Sequence, residues 1–301
     1  MRAPTAATPS RQRPAFTREG LVTWRFVYRD LTASLLPGCL FVLAGASHSH
    51  ADAAATGRAL ARAAVYLTLF IYIFCVANQL GADPREDQAN KPDRPLASGL
   101  VSRAGAWRRW LVAMAVFPLL GWTLGVLWWA LLWQAITVVN NFTPVSRWGP
   151  TRDAIIVPGA IVQLAAAWQQ IAPLDATAWR WILTLAVVLG GLGLQMQDLR
   201  DLDGDRMIGR RTFPMLLGER TSRRYLAVLI LAMPAIVHIL LYASRADRAE
   251  VLLCLVPVAG LSWTVAWRVL TLRTPAADRL TYSLYTLVYC VTLAGGIPVL
   301  R

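Results

Sequence analysis

Nine apolar stretches, each near the length that crosses a bilayer, constrain this 301-residue chain more than any other feature. A hydrocarbon core takes about 20 apolar residues per helix, and at that scale the stretches cover 31–47, 63–77, 107–121, 124–139, 154–171, 178–196, 225–242, 250–270 and 281–300. The third and fourth form one continuous run; as a single helix it would greatly overshoot a core of about 30 Å, so a break is expected between Gly121 and Gly125. With 56% hydrophobic and 16% charged residues, a water-soluble globule is excluded. The expected fold class is all-α, a polytopic membrane helical bundle of about nine transmembrane helices. The first 28 residues, polar and rich in Arg and Pro, read as a partly disordered tail without signal-peptide features. Residues 29–301 read as one transmembrane domain.

The charges orient this bundle. The chain is formally +13, and if the N-terminus and the even-numbered loops share one side, that side holds 24 of the 30 basic residues. Cytoplasmic loops carry such an excess, so the N-terminus is expected in the cytoplasm. The basic excess is thus a membrane-topology signal; no nucleic-acid partner is expected, and no protein partner is implied. Cys39, Cys75, Cys254 and Cys290 all lie in apolar stretches without a C-x-x-C pair, and indicate neither a disulfide framework nor a zinc site.

Eight of the seventeen carboxylates fall in two short windows on the cytoplasmic face. The first holds Asp83, Glu86, Asp87 and Asp93 and reads on into Asn90-Lys91-Pro92-Asp93-Arg94-Pro95; the second holds Asp198, Asp201, Asp203 and Asp205 and ends Gly209-Arg210-Arg211-Thr212. Carboxylates three or four residues apart on a helix lie on one face and repel. A hard divalent cation between them reverses the sign, and carboxylate, phosphate and water oxygens are what magnesium prefers. Two such clusters could hold magnesium around a diphosphate, with Lys91, Arg94, Arg210 and Arg211 placed to neutralise the remaining phosphate oxygens. Read singly, either cluster could equally be an ordinary solvated loop; the pair, similarly spaced and on one side, favours a site.

The two motifs, N…D-x-x-x-D…N-x-P-x-R-P-L-x-S-G and D-x-x-D-x-x-x-D…G-x-[KR]-x-T, resemble those of the UbiA superfamily of intramembrane prenyltransferases, and the resemblance spans nearly the whole chain. It implies Asp83, Asp87, Asp198, Asp201 and Asp205 as magnesium ligands, with Asp83, Asp87, Asp198 and Asp201 central to catalysis, and Asn78, Lys91, Arg94 and Arg211 as diphosphate contacts. The first motif departs from the usual N-D-x-x-D: Gln79 replaces the acid and Asp83 comes one residue late, so a register using Glu86 in place of Asp87 stays open. These details are most similar to the membrane-bound terpene cyclase branch.

That branch implies ionisation of a linear C15 prenyl diphosphate and cyclisation of the cation with release of pyrophosphate, in an active site opening near the cytoplasmic side, with membrane lipid as the surroundings. The alternative is a prenyltransferase that passes the cation to a lipophilic acceptor. A polytopic transporter fits less well, because the carboxylates cluster at one surface and not at the midplane. Of thirteen tryptophans, Trp128, Trp129, Trp133, Trp168, Trp263 and Trp267 lie inside the apolar runs. Aromatic faces attract cations by about 0.5–2 kcal/mol; Trp129, Trp168 and Trp263 are the expected lining of a cation-stabilising pocket. Asn140, Asn141, Gln163, Gln195 and Gln197 either line that chamber or bond helices together.

Overall fold

The computed structural model describes residues 15–301 except 194, 208, 210 and 246, with the side chains of Glu86, Asn90 and Asp203 among those outside the description. Among the described residues the chain is helical, with one isolated parallel bridge between Trp148 and Arg211. The helices are α1 (Ala15–Val27), α2 (Leu31–His48), α3 (Ala53–Gly81), α4 (Pro84–Asn90), α5 (Arg103–Thr123), α6 (Leu127–Phe142) and α7 (Gly149–Trp168). After these come α8 (Ala176–Thr184), which runs into π-helical turns over Leu185–Leu192, and three short helices, α9 (Met196–Arg200), α10 (Leu202–Met207) and α11 (Phe213–Leu217). Last are α12 (Glu219–Val237), which passes into π-helical turns over His238–Tyr242, α13 (Arg248–Thr271) and α14 (Pro275–Val299).

Local chemistry sets the boundaries. Asp52, Ser102, Asp175, Asp247 and Thr274 each accept a hydrogen bond from a first-turn backbone N–H, at the starts of α3, α5, α8, α13 and α14. The long apolar run breaks where expected: α5 ends at Thr123, Gly125 takes a φ of +73° that favours glycine, and α6 starts at Leu127. Among the described residues, five helical segments are long and apolar enough to cross a membrane: Ala53–Gly81, Ala176–Arg200, Glu219–Tyr242, Arg248–Thr271 and Pro275–Val299. The outward faces suit a hydrocarbon solvent, since Leu111, Val112 and Leu119 of α5 and Leu252, Leu253 and Val256 of α13 are all exposed.

One expectation is corrected at the N-terminus. Residues 15–27, read as tail, form α1, and Val22, Phe26 and Val27 are buried. The i, i+4, i+5 spacing of these three makes an apolar stripe that packs on α3; a stripe this narrow is invisible to a search at bilayer length.

Two buried clusters make up the interior. One gathers α3, α5 and α6 around Tyr66, Phe70, Phe117 and Trp133; the other gathers α8, α12, α13 and α14 around Trp181, Tyr242 and Tyr285. α2 and α7 contribute to both. A cavity of about 750 Å³ lies at the seam, walled by α2, α3, α6, α7 and α14.

Candidate active site

The polar end of the cavity begins where α3 stops. A Cβ at Gly81 would lie 2.0 Å from the Asn141 carbonyl oxygen, so only glycine lets α3 and α6 meet there. That approach sets Asn78 Nδ2 3.4 Å from Asn141 Oδ1, and both side chains line the cavity beside Asn140. Gln79 points elsewhere: its Oε1 accepts from the Leu96 N–H at 3.3 Å and ties α3 to the loop that carries Lys91 and Arg94. The residue that departs from the family pattern therefore bonds the loop backbone, and the cavity is lined without it.

Asp83 caps α4, accepting from the Arg85 N–H at 2.9 Å, and its carboxylate also takes the Arg85 guanidinium at 2.9 and 3.2 Å. The guanidinium and then the N–H hold its carboxyl low, at about 2. One turn on, Asp87 is buried and accepts from Arg94 Nη1 at 2.7 Å. Asp93 accepts from both Arg29 and Tyr28, Arg29 being the larger influence, and is likewise held at about 2. Lys91 is pushed down by burial and secondly by Arg94, with Asp201 and Asp30 acting against the shift.

The second acidic segment meets the first, for α10 packs against α4. Asp198 and Asp205 are each 1% exposed, and Asp201 lines the cavity while accepting from Arg200 Nε at 3.2 Å. The approach to this segment is tight. A Cβ at Gly193 would fall 2.1 Å from the Tyr285 hydroxyl, which donates to the Leu189 carbonyl within the π-helical turns. π-helical turns often mark functional sites because they leave the backbone ladder locally unmatched.

Of the residues expected to contact diphosphate, Asn78, Lys91 and Arg94 line the cavity together. Arg211 is exposed and lies outside the lining, and Arg210 falls outside the described residues. Of the expected metal ligands, Asp201 is in the lining, Asp87, Asp198 and Asp205 are buried outside it, and Asp83 is turned to Arg85.

The aromatic expectation is corrected. Trp168 is packed against Phe41 and donates to the Pro173 carbonyl, Trp129 donates to Gln169 and meets Trp179, and Trp263 is 56% exposed; none lines the cavity. The cavity's aromatic wall is Trp133, stacked on Phe70 at 3.8 Å with a 7° interplanar angle and followed by Phe74. Trp133 Nε1 donates to the Phe70 carbonyl at 2.9 Å, which fixes the ring. The opposite wall carries Tyr282, Tyr285 and Tyr289 of α14, with the Arg200 guanidinium 4.4 Å from the Tyr282 ring centre. The i, i+3, i+7 spacing of the tyrosines was a legible signal for one helix face. Arg200 and Asp30, also in the lining, have no comparable signal.

The donor chemistry suits magnesium. Asp87, Asp198, Asp201 and Asp205 with the cavity asparagines form a hard, all-oxygen set. Among the described residues no three His, Cys, Asp or Glu side chains converge into a cage. Magnesium needs none, since one or two carboxylates plus substrate phosphates and water complete its shell.

Comparison with known proteins agrees with this geometry. The UbiA prenyltransferase family model matches residues 35–289. The chain is 39% identical to somaliensene A/B synthase of Streptomyces somaliensis over 284 residues, 94% of each chain. It is 34% identical to diterpene cyclase eriG of Hericium erinaceus, covering 92% of this chain and 88% of that one, and 30% identical to polyprenyl transferase eriF of the same organism, covering 90% and 92%. Among solved structures, a UbiA homolog from Archaeoglobus fulgidus bound to GPP and Mg2+ superposes with a TM-score of 0.65 at 13% identity, covering 93% of this chain and 99% of that one. The chain belongs to the UbiA prenyltransferase family and is a prenyl-diphosphate-processing enzyme.

Proposed function

We propose that this enzyme is a membrane terpene cyclase: it ionises a linear prenyl diphosphate and closes the resulting cation into a ring within the cavity. The observation that carries the reading is the composition of one continuous wall, with Asn78, Lys91, Arg94, Arg200 and Asp201 at one end and Phe70, Phe74, Trp133, Tyr282, Tyr285 and Tyr289 lining the rest. The first group binds the diphosphate; the second shapes the chain and faces the positive charge that moves along it. The similarity to a named synthase and a named diterpene cyclase over almost the full length supports cyclase over transferase. The eriF similarity keeps transfer to a lipophilic acceptor as the second reading.

Asp87, Asp198, Asp201 and Asp205 are the residues that would hold magnesium, which when bound supplies Lewis-acid neutralisation of the departing pyrophosphate. Lys91 and Arg94 bring fixed positive charge to the same oxygens. The stacked Phe70–Trp133 wall excludes water from the chamber, so that the cation meets π faces and its own double bonds. The basic excess on one side supports a nine-span topology with the N-terminus and the polar mouth in the cytoplasm. For chain length, a C15 prenyl diphosphate is the proposed substrate, and the diterpene name of eriG points to testing C20 beside it.

Purified membranes given C15 or C20 prenyl diphosphate and magnesium, with no acceptor, should yield a cyclic hydrocarbon and pyrophosphate. Formation of linear alcohol only, with rapid consumption of an added phenolic acceptor, would establish the transferase.

A further inference from the structure

We propose that Asp30, which belongs to neither acidic segment, is the proton acceptor that ends cyclisation; the inference rests on the cyclase reading. Asp30 immediately precedes α2 and lines the cavity. At such a position an aspartate ordinarily caps its helix, yet Asp30 makes no side-chain capping bond. Its Oδ2 instead accepts from Cys75 Sγ at 3.4 Å. The junction is held in place by its two predecessors, Tyr28 and Arg29, which both donate to Asp93 of the Lys91–Arg94 loop.

The depth of this carboxylate is the central point. Cys75 precedes Asn78 by three residues on α3, so it lies about 4.5 Å further from the polar mouth along the helix axis. Phe74, Ile71 and Phe70 follow below it on the same wall. On α2, Asp30, Ala33, Ser34 and Pro37 line the cavity at i, i+3, i+4 and i+7, with Asp30 the charged member at the top of the face. Asp30 therefore occupies the level between the diphosphate-binding groups and the aromatic wall, where a prenyl chain passes from its polar head to its hydrocarbon.

A carboxylate at that level can do what the apolar wall cannot. A C–H bond beside the cationic carbon breaks, its electron pair forms the product double bond, and the proton goes to the Asp30 carboxylate; water at the mouth then takes it up. Lys91 and Arg94 lie nearby with positive charge that keeps a carboxylate compatible with the departing pyrophosphate. Proton transfer to a positioned group contributes about 10²–10⁴-fold.

The test compares parent enzyme, Asp30→Asn and Asp30→Glu in membranes, each given prenyl diphosphate and magnesium, measuring hydrocarbon and pyrophosphate together. Asp30→Asn should lower hydrocarbon formed per pyrophosphate released at least tenfold, with alcohol from water capture making up the difference, and Asp30→Glu should restore part of that ratio. An unchanged ratio in Asp30→Asn, or a fall in pyrophosphate release that matches the fall in hydrocarbon, overturns the assignment. If Asp30→Asn does not accumulate in membranes, Asp30→Glu decides: a changed double-bond position supports the assignment and the parent's isomer ratio overturns it. Failure of the cyclase reading itself shows separately, in the parent enzyme, as no hydrocarbon without acceptor.

Discussion

The two acidic segments have nearly the same spacing and quite different surroundings. In the first, the described carboxylates are each engaged by an arginine: Asp83 by Arg85, Asp87 by Arg94 and Asp93 by Arg29. They sit on and after the seven-residue α4, which Asp83 itself caps. In the second, the helix has been interrupted by π-helical turns and restarted as α9 and α10, and Asp198 and Asp205 are buried while Asp201 reaches the cavity wall. In the first segment Asp87 thus holds a base, Arg94, at the cavity. The second also pairs an acid with an arginine, Asp201 with Arg200, but there both partners lie in the cavity lining. A symmetrical pair of aspartate motifs therefore has asymmetric surroundings: the first brings Lys91 and Arg94 to the cavity lining, the second an acid, Asp201, together with Arg200.

That asymmetry can be broken most severely from the second segment. Asp198→Ala with Asp201→Ala should lower kcat/KM by about 10³-fold or more, because two preorganised charges are lost from a water-poor site. Steady-state pyrophosphate release at saturating magnesium measures it; an active double variant would remove the second segment from the chemistry. In the first segment the large effect should come from an arginine. Arg94→Ala leaves Asp87 buried without that partner, and breaking such a pair costs about 3–5 kcal/mol, so detergent-solubilised protein should lose thermal stability as well as activity. Adding Asp87→Ala should return most of the stability and none of the activity, which separates the ion pair's structural effect from the diphosphate contact proposed for Arg94.

The interrupted helix offers a subtler test. Gly193→Ala drives a Cβ toward the Tyr285 hydroxyl, and Tyr285 must shift on the cavity wall. Activity should fall about tenfold, the cost of a slightly misplaced wall, with a changed product mixture read by gas chromatography. An unchanged mixture would show that the α14 wall does not guide the cation.

The sequence made the scaffold legible and the chamber much less so. Apolar length and turn chemistry are local, so the helices and even the break at Gly125 could be read directly. The polar mouth was legible for the same reason, since Asn78, Lys91 and Arg94 occur in one continuous motif. Which tryptophan faces a cavity depends on helix rotation, and α6, aromatic on several faces, gives no phase: Trp128 is 78% exposed whereas Trp133, five residues on, is 6% exposed. Asp30 stands alone at the edge of an apolar run, outside both acidic motifs, so no spacing marks it as a cavity residue.

The smallest effect should separate two aspartates that the motif treats alike. Asp83 and Asp87 are four residues apart on α4, and spacing alone predicts equal roles as ligands. Both lie outside the cavity lining, but Asp83 has its carboxyl held at about 2 by Arg85, whereas Asp87 is 4% exposed and bound to the cavity residue Arg94. The Asp83 carboxylate already takes three bonds from Arg85, including its capping bond, which compete with a metal shell. Asp83→Ala should therefore change kcat/KM by no more than about threefold, the scale of an exposed ion pair, while Asp87→Ala falls by about 10²-fold. A depressed carboxyl is fully charged above its ordinary range near 4, so the cap's contribution should persist at neutral pH and fade only as pH drops toward 2. Equal losses from both substitutions at neutral pH would mean that Asp83 swings inward when substrate binds, and would restore the symmetrical site.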